Sequence, residues 1–359
     1  ARLRPSGFDA AALRSLRARR LVGEVEATRA FETSALTAPR KVAVLLVTFP
    51  GDPAEPWSPE ETRANVFTGS NSAKAFSEEE SYGEISLAGK LNEANGDVFG
   101  WISLDGASTS ACSLEAWRAE ANAKAATEGI DLAGYDHVIY VFPKKSVCTW
   151  LGIAVVNGGW AMINGNLGVH PIAHELGHNL GLEHAGSMTC FAGNQRVQIS
   201  SSCAVSEYGD PFDVMGNIAP RHSSGWNLLK LGILDTDNIE SAEQSGTYSI
   251  RSAFDETDEP TILRVPRAKS GSGVSSWYYL EIRKTGGLFE NVTDASTTGV
   301  SIRFPRETFP AETVLLDANP ATSTFADAPL QEGQVFDAGS VQITTLSAGG
   351  GEAIDRVMA

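Results

Sequence analysis

Four of the six histidines fall in one short run, His170-Pro-Ile-Ala-His174-Glu175-Leu-Gly-His178-Asn-Leu-Gly181-Leu-Glu-His184. Imidazoles ligate metals and move protons, so their spacing decides what chemistry is open to them. On a helix advancing about 100° per residue, His174 and His178 lie about 40° apart and Glu175 about 60° from His178. Ile172 and Leu176 fall about 160° from His174, on the opposite side. One face is therefore free for a metal ion while the other packs into a core. Gly181 can take the left-handed conformation that ends a helix, and the turn lets His184 supply a third imidazole. Three neutral imidazoles with one open position describe a catalytic Zn2+ site, whereas structural zinc is closed by four protein ligands, usually including cysteines. Zinc lowers the pKa of its water to about 7 and polarises a carbonyl. Glu175 is placed to take that water's proton and pass it to a leaving amine. His170 and His222 stand outside the pattern, as helix-entry or supporting residues.

These residues need a scaffold. Residues 41–49 form a continuous β-prone run of the kind buried on both faces of a sheet. Ser58-Pro59-Glu60-Glu61 reads as a helix start, residues 85–87 as a short strand, 113–128 as a helix and 136–142 as another buried strand. Strands alternating with helices predict an α/β sheet. Beyond residue 240 the texture changes to short runs at 246–252, 261–265, 277–283, 299–304, 313–316 and 341–346, a spacing that predicts a mostly antiparallel β-sandwich. The chain thus divides into a basic N-terminal segment (1–40), a catalytic domain (41–238) and a β-sandwich-like C-terminal domain (239–359). No histidine follows His222, so a histidine site cannot lie in the last domain.

Composition narrows the function classes. The 359 residues carry a net charge of −16 with 42% hydrophobic residues. That apolar content argues against disorder, and the acidity argues against a nucleic-acid partner, whose phosphates would be repelled. The longest strongly apolar run, 42–49, falls far short of the ~20 residues of a membrane span. Residues 1–40 hold eight Arg against four acids. This segment reads as a pro-segment or linker with a processing site at Arg19-Arg20, or as a solvated surface helix. Cys112, Cys148, Cys190 and Cys203 form no CxxC pair, which argues against a thiolate metal knuckle. Two disulfides suit an even, widely spaced set and imply secretion into an oxidising compartment. Neighbouring pairs would be Cys112–Cys148 and Cys190–Cys203, among three possible connectivities, and four buried free thiols are the alternative.

The run from His174 to His184 matches the HExxHxxGxxH pattern of the metzincin zinc endopeptidases, and Asp213-Val-Met215-Gly216 resembles their methionine turn. Tyr208-Gly-Asp-Pro-Phe-Asp-Val-Met-Gly216 is similar to the gametolysin family and its bacterial relatives, as are Ser81-Tyr82-Gly83, Ile85-Ser-Leu-Ala-Gly89 and Asp136-His-Val-Ile-Tyr-Val-Phe-Pro143. The resemblance covers roughly residues 41–235. It implies a metzincin-like fold, with the cleft between a larger subdomain and a smaller one after Gly181. It also implies an antiparallel edge strand on which a protein or peptide substrate binds by strand addition. Gly158, Gly159, Trp160 and Ala161 lie in the matching stretch, 158–164. Met215 is expected as an apolar floor beneath the imidazoles, and Tyr208 as a packing residue or an oxyanion contact. The loop from Cys190 to Cys203 would shape a specificity pocket. Asn217 stands where some metzincins carry a tyrosine ligand. No cysteine in the N-terminal region can act as a latency switch, and Asp9 is the carboxylate that could stand in.

Two other functions compete with an extracellular zinc endopeptidase. The C-terminal sandwich could bind a surface polymer or protein through Trp277, Tyr278 and Tyr279, with the protease as its cargo. The metal site could also serve an amidase or esterase acting on a non-peptide. The acidic loop Asp255-Glu-Thr-Asp-Glu259, with Asp210 and Asp213, offers oxygen ligands for Ca2+. The oligomeric state is left open.

Overall fold

The computed structural model describes residues 38–358 apart from 107–109, 217–219, 256, 271–272 and 307–308. The expectations for the N-terminal segment, including Arg19, Arg20 and Asp9, lie outside the described residues, as does Asn217.

Among the described residues the fold is mixed α/β, with three sheets and few helices. Strand β1 (Arg40–Thr48) alternates its side chains between two cores. Val42, Val44 and Leu46 point to one layer and Ala43, Leu45 and Val47 to the other, which is why the run is apolar at every position. Helix α1 (Pro59–Arg63) starts where the Ser58 capping box with Glu61 predicts. After α2 (Ala73–Glu80) come β2 (Leu87–Ala88), β3 (Asp97–Ser103), α3 (Leu114–Thr127), β4 (His137–Phe142), β5 (Gly152–Ala154) and β6 (Trp160–Asn164). The first sheet runs β2-β1-β4-β6-β5, with β3 also on β1. All of its pairs are parallel except β5 with β6. Trp117, Ala121 and Ala125 of α3 cover one face. Ile172 and Leu176 of α4 (Val169–Asn179) cover the other, as their helical spacing requires.

The chain then enters a second sheet through β7 (Ala185–Ala192), β8 (Gln195–Val197) and β9 (Cys203–Ser206). Helix α5 (Gly225–Leu231) leads to β10 (Ile239–Ser241), β11 (Gly246–Arg251), β12 (Ile262–Ser270) and β13 (Gly273–Glu281). The remaining elements are α6 (Ala295–Thr298), β14 (Gly299–Arg306), β15 (Phe309–Leu316), β16 (Leu330–Gln331), β17 (Val335–Asp337), β18 (Gln342–Gly349) and β19 (Glu352–Met358). The second sheet has the order β10-β12-β13-β14-β15-β7-β8, with β9 on β7 and β16 on β14. The third, β11-β19-β18-β17, packs against it over a common core that includes Leu280, Ile302, Val314, Phe336 and Ile343. β7 pairs in parallel with β15, so this sheet crosses the position between residues 238 and 239.

The aromatic run at 277–279 is not an exposed binding face. Tyr278 is core, Tyr279 packs on Trp226 with ring centroids 4.8 Å apart, and Trp277 lies under Arg264. Alternation of faces along a strand puts the middle residue inside.

Candidate metal centre

Helix α4 ends as its sequence dictates. Gly181 has φ 99°, its amide donates to His178 O at 2.8 Å, and Leu182 N donates to Gly177 O at 2.9 Å. This paired closure turns the chain within two residues, and His184 arrives beside His178. The ligand atoms of His174, His178 and His184 all lie within 4.8 Å of one another, with the Nε2 atoms of His178 and His184 3.1 Å apart.

Each ring is oriented from its other nitrogen. His174 Nδ1 lies 2.9 Å from Val214 O, His178 Nδ1 2.8 Å from Leu182 O, and His184 Nδ1 2.7 Å from Glu207 Oε1. A carbonyl or carboxylate oxygen only accepts, so these bonds place the hydrogen on Nδ1 and turn the Nε2 lone pairs toward a common centre. Burial pushes His174 down to about 3, helped by the neighbouring His178, and burial likewise pushes His178 down to about 4. Both rings are therefore neutral near pH 7, the form that binds metals. Lone pairs facing one another repel, and a cation between them removes the repulsion.

Glu175 stands on the flank of the trio. Burial alone pushes its carboxyl up to about 8, and Oε2 has no hydrogen-bond partner among the described residues. Its neighbour is Gly152, where a Cβ would lie 2.4 Å from Glu175 Oε1. Met215 is fully buried beneath the helix, and a Cβ on Gly177 would meet its Sδ at 2.5 Å. Asp213 holds the turn, accepting from Met215 N at 2.8 Å, Ser224 N at 2.7 Å and Asn227 Nδ2 at 2.9 Å. Tyr208 packs its ring 4.0 Å from that of His184.

The stretch expected as the edge strand is placed otherwise. β6 is flanked by β4 and β5, with Ala161 fully buried and Gly158 and Gly159 in the preceding turn. The antiparallel edge is β5. Asn164 N donates to Leu151 O at 2.8 Å and Val155 N to Trp160 O at 3.5 Å, which leaves the backbone groups of Gly152 and Ala154 facing outward. Both disulfides join sequence neighbours, Cys112–Cys148 and Cys190–Cys203. His222 bonds Glu79 at 3.1 Å, outside the metal group.

Calcium finds no support. Among the described residues, the three histidines are the one group of His, Cys, Asp or Glu with converging ligand atoms. Asp255 is taken by Lys284, Glu259 by Arg251 and Asp210 by Arg303. Sequence reasoning passed over Glu207 and Gly152. Glu207 adjoins Tyr208 in the gametolysin-like string, the one signal that pointed near it, and Gly152 carried no signal.

The family model described as gametolysin peptidase M11 matches residues 58–287. No curated protein matches the chain.

Proposed function

Because the chain belongs to the gametolysin peptidase M11 family and is a metallo-endopeptidase, we propose that it cleaves peptide bonds of extracellular proteins, with Zn2+ on His174, His178 and His184. The observation that carries this reading is the convergence of three imidazoles whose Nδ1 atoms are already engaged. The donor set fits zinc, since it comprises three imidazole nitrogens with no thiolate and no fourth ligand in the group. A zinc ion bound there supplies Lewis acidity toward water and the substrate carbonyl, and a positive charge that draws the Glu175 pKa back down. Glu175 accepts a proton at the unpartnered Oε2 from the attacking water, then delivers it to the leaving nitrogen. An extended substrate pairs with the outward backbone groups of Gly152 and Ala154 on β5, which sets its carbonyl beside Glu175. Tyr208 borders the far side of the site, against His184.

On this reading the fold is metzincin-like, with residues 41–238 as the catalytic domain and 239–359 as a β-rich domain sharing its second sheet. Secretion is supported by the two disulfides, which persist in oxidising compartments. No helix among the described residues is long and apolar enough to cross a membrane. Hydrolysis of casein or gelatin tests the proposal. A chelator abolishes it and added zinc restores it, while Glu175→Gln lowers the rate about 10²–10⁴-fold. Activity that survives both the chelator and the substitution contradicts the reading.

A further inference from the structure

The segment that underlies the three imidazoles, residues 210–216, is held by strands that lie far beyond it in sequence. Asp210 is fully buried. Its amide donates at 3.2 Å to the carbonyl of Ala185, the residue after His184. Its carbonyl packs against Gly216, where a Cβ would lie only 2.2 Å away. Its carboxylate receives Arg303 Nε at 2.6 Å and Nη2 at 3.3 Å. Arg303 projects from β14 and is itself buried, with Nη1 donating to Glu281 Oε1 at 2.6 Å. Arg283 joins the same cluster. Its Nε donates to Glu281 Oε1 at 3.1 Å and its Nη2 to Phe212 O at 2.8 Å, inside the segment itself. β15 meanwhile pairs in parallel with β7 from Ala185 onward, fixing the strand that begins directly after His184.

The orientation of the His174 ring and the floor of the helix depend on what these contacts hold still. Val214 O, which orients His174, and Met215, which floors the helix, both lie in residues 210–216. Ala185 N donates to Met215 O at 2.9 Å, tying the strand after His184 to the same turn. A guanidinium fork fixes both distance and plane, and a buried one has no water to substitute for a lost partner. The gametolysin family model stops at residue 287, short of Arg303 and β15.

We propose that Arg303, acting through Asp210 and supported by Glu281 and Arg283, is a positioning residue of the metal centre, so that the C-terminal strands belong to the catalytic apparatus. The proposal rests on the zinc reading above. Its test is metal binding by the full chain, measured as zinc affinity and as the visible spectrum of the cobalt-substituted protein, for wild type, Arg303→Met and Arg303→Lys. Circular dichroism of each variant gives the folded state. Arg303→Met is expected to lose about 10–100-fold in zinc affinity, the usual cost of an outer contact, and to shift the cobalt bands; Arg303→Lys recovers part of both. Asp210→Asn has the same shape and leaves Glu281 on the guanidinium, so it carries the same two readouts if Arg303→Met does not fold. Folded variants with wild-type affinity and cobalt bands, differing only in melting temperature, overturn the proposal and leave the zinc reading standing. A wild type that binds neither metal overturns the zinc reading, and this proposal with it.

Discussion

Replacing Gly152 by alanine adds one methyl group where the edge strand touches the carboxylate of Glu175, the proposed general base. The new Cβ would lie 2.4 Å from Glu175 Oε1, 2.6 Å from Cγ and 2.8 Å from Cδ, whereas ordinary contact begins at 3.4 Å. The carboxylate must therefore retreat by about 1 Å, a misplacement that can cost about 10²-fold in rate. Gly152 has no positive φ, so β5 accepts alanine without backbone strain. The three nearest atoms all belong to Glu175, so the clash falls first on that side chain and not on the histidines. Initial rates on a fluorogenic peptide, with zinc content measured on the same sample, should show kcat lowered about 100-fold and zinc unchanged. A variant with full zinc and near-wild-type kcat would refute both the contact and the role given to Glu175. A variant that has lost its zinc would refute the separation of base from ligands.

Gly177→Ala sets a Cβ 2.5 Å from Met215 Sδ, and overpacking of this kind costs about 1–3 kcal/mol, partly offset by about 1 kcal/mol of helix propensity; denaturation of the metal-free protein gives the net. Glu207→Ala frees the ring of His184 and should weaken zinc binding about 10–100-fold, with Glu207→Gln losing less; competition with a chromogenic chelator measures it. The carboxyl of Glu175 rises from the ordinary 4.5 to about 8 on folding, so the metal-free native state binds more protons than the unfolded one between these values. Its contribution to stability is whole below pH 4.5 and is lost as pH rises through 8. The melting temperature of metal-free Glu175→Gln should therefore gain on that of wild type across this range, and a gap independent of pH contradicts the burial of the charge. Removing the Cys190–Cys203 bridge by double alanine substitution should cost about 2–4 kcal/mol in chemical denaturation.

Much of the site was legible because helix geometry is local. The relation of His174, His178 and Glu175 follows from residue spacing, and the turn at Gly181 from one residue type. β1 was legible for a similar reason, since a strand buried on both faces is apolar throughout. Tyr278 entered the core as alternation along a strand requires. What escaped depends on pairing between distant segments. Whether β5 or β6 is the edge is decided by which neighbours each finds, and the three residues Gly152, Ile153 and Ala154 carry no pattern to announce a strand. Nor does anything in residues 185–188 disclose that they pair with 313–316. Glu207 reaches His184 across a hairpin, beyond any motif spacing.

Anomalous diffraction at the zinc edge, from crystals of the protein purified without added metal, tests the central claim most directly. One peak per chain is expected, about 2.0–2.1 Å from the Nε2 atoms of His174, His178 and His184, with no fourth protein ligand. A peak elsewhere, or a site closed by a fourth side chain, would contradict it.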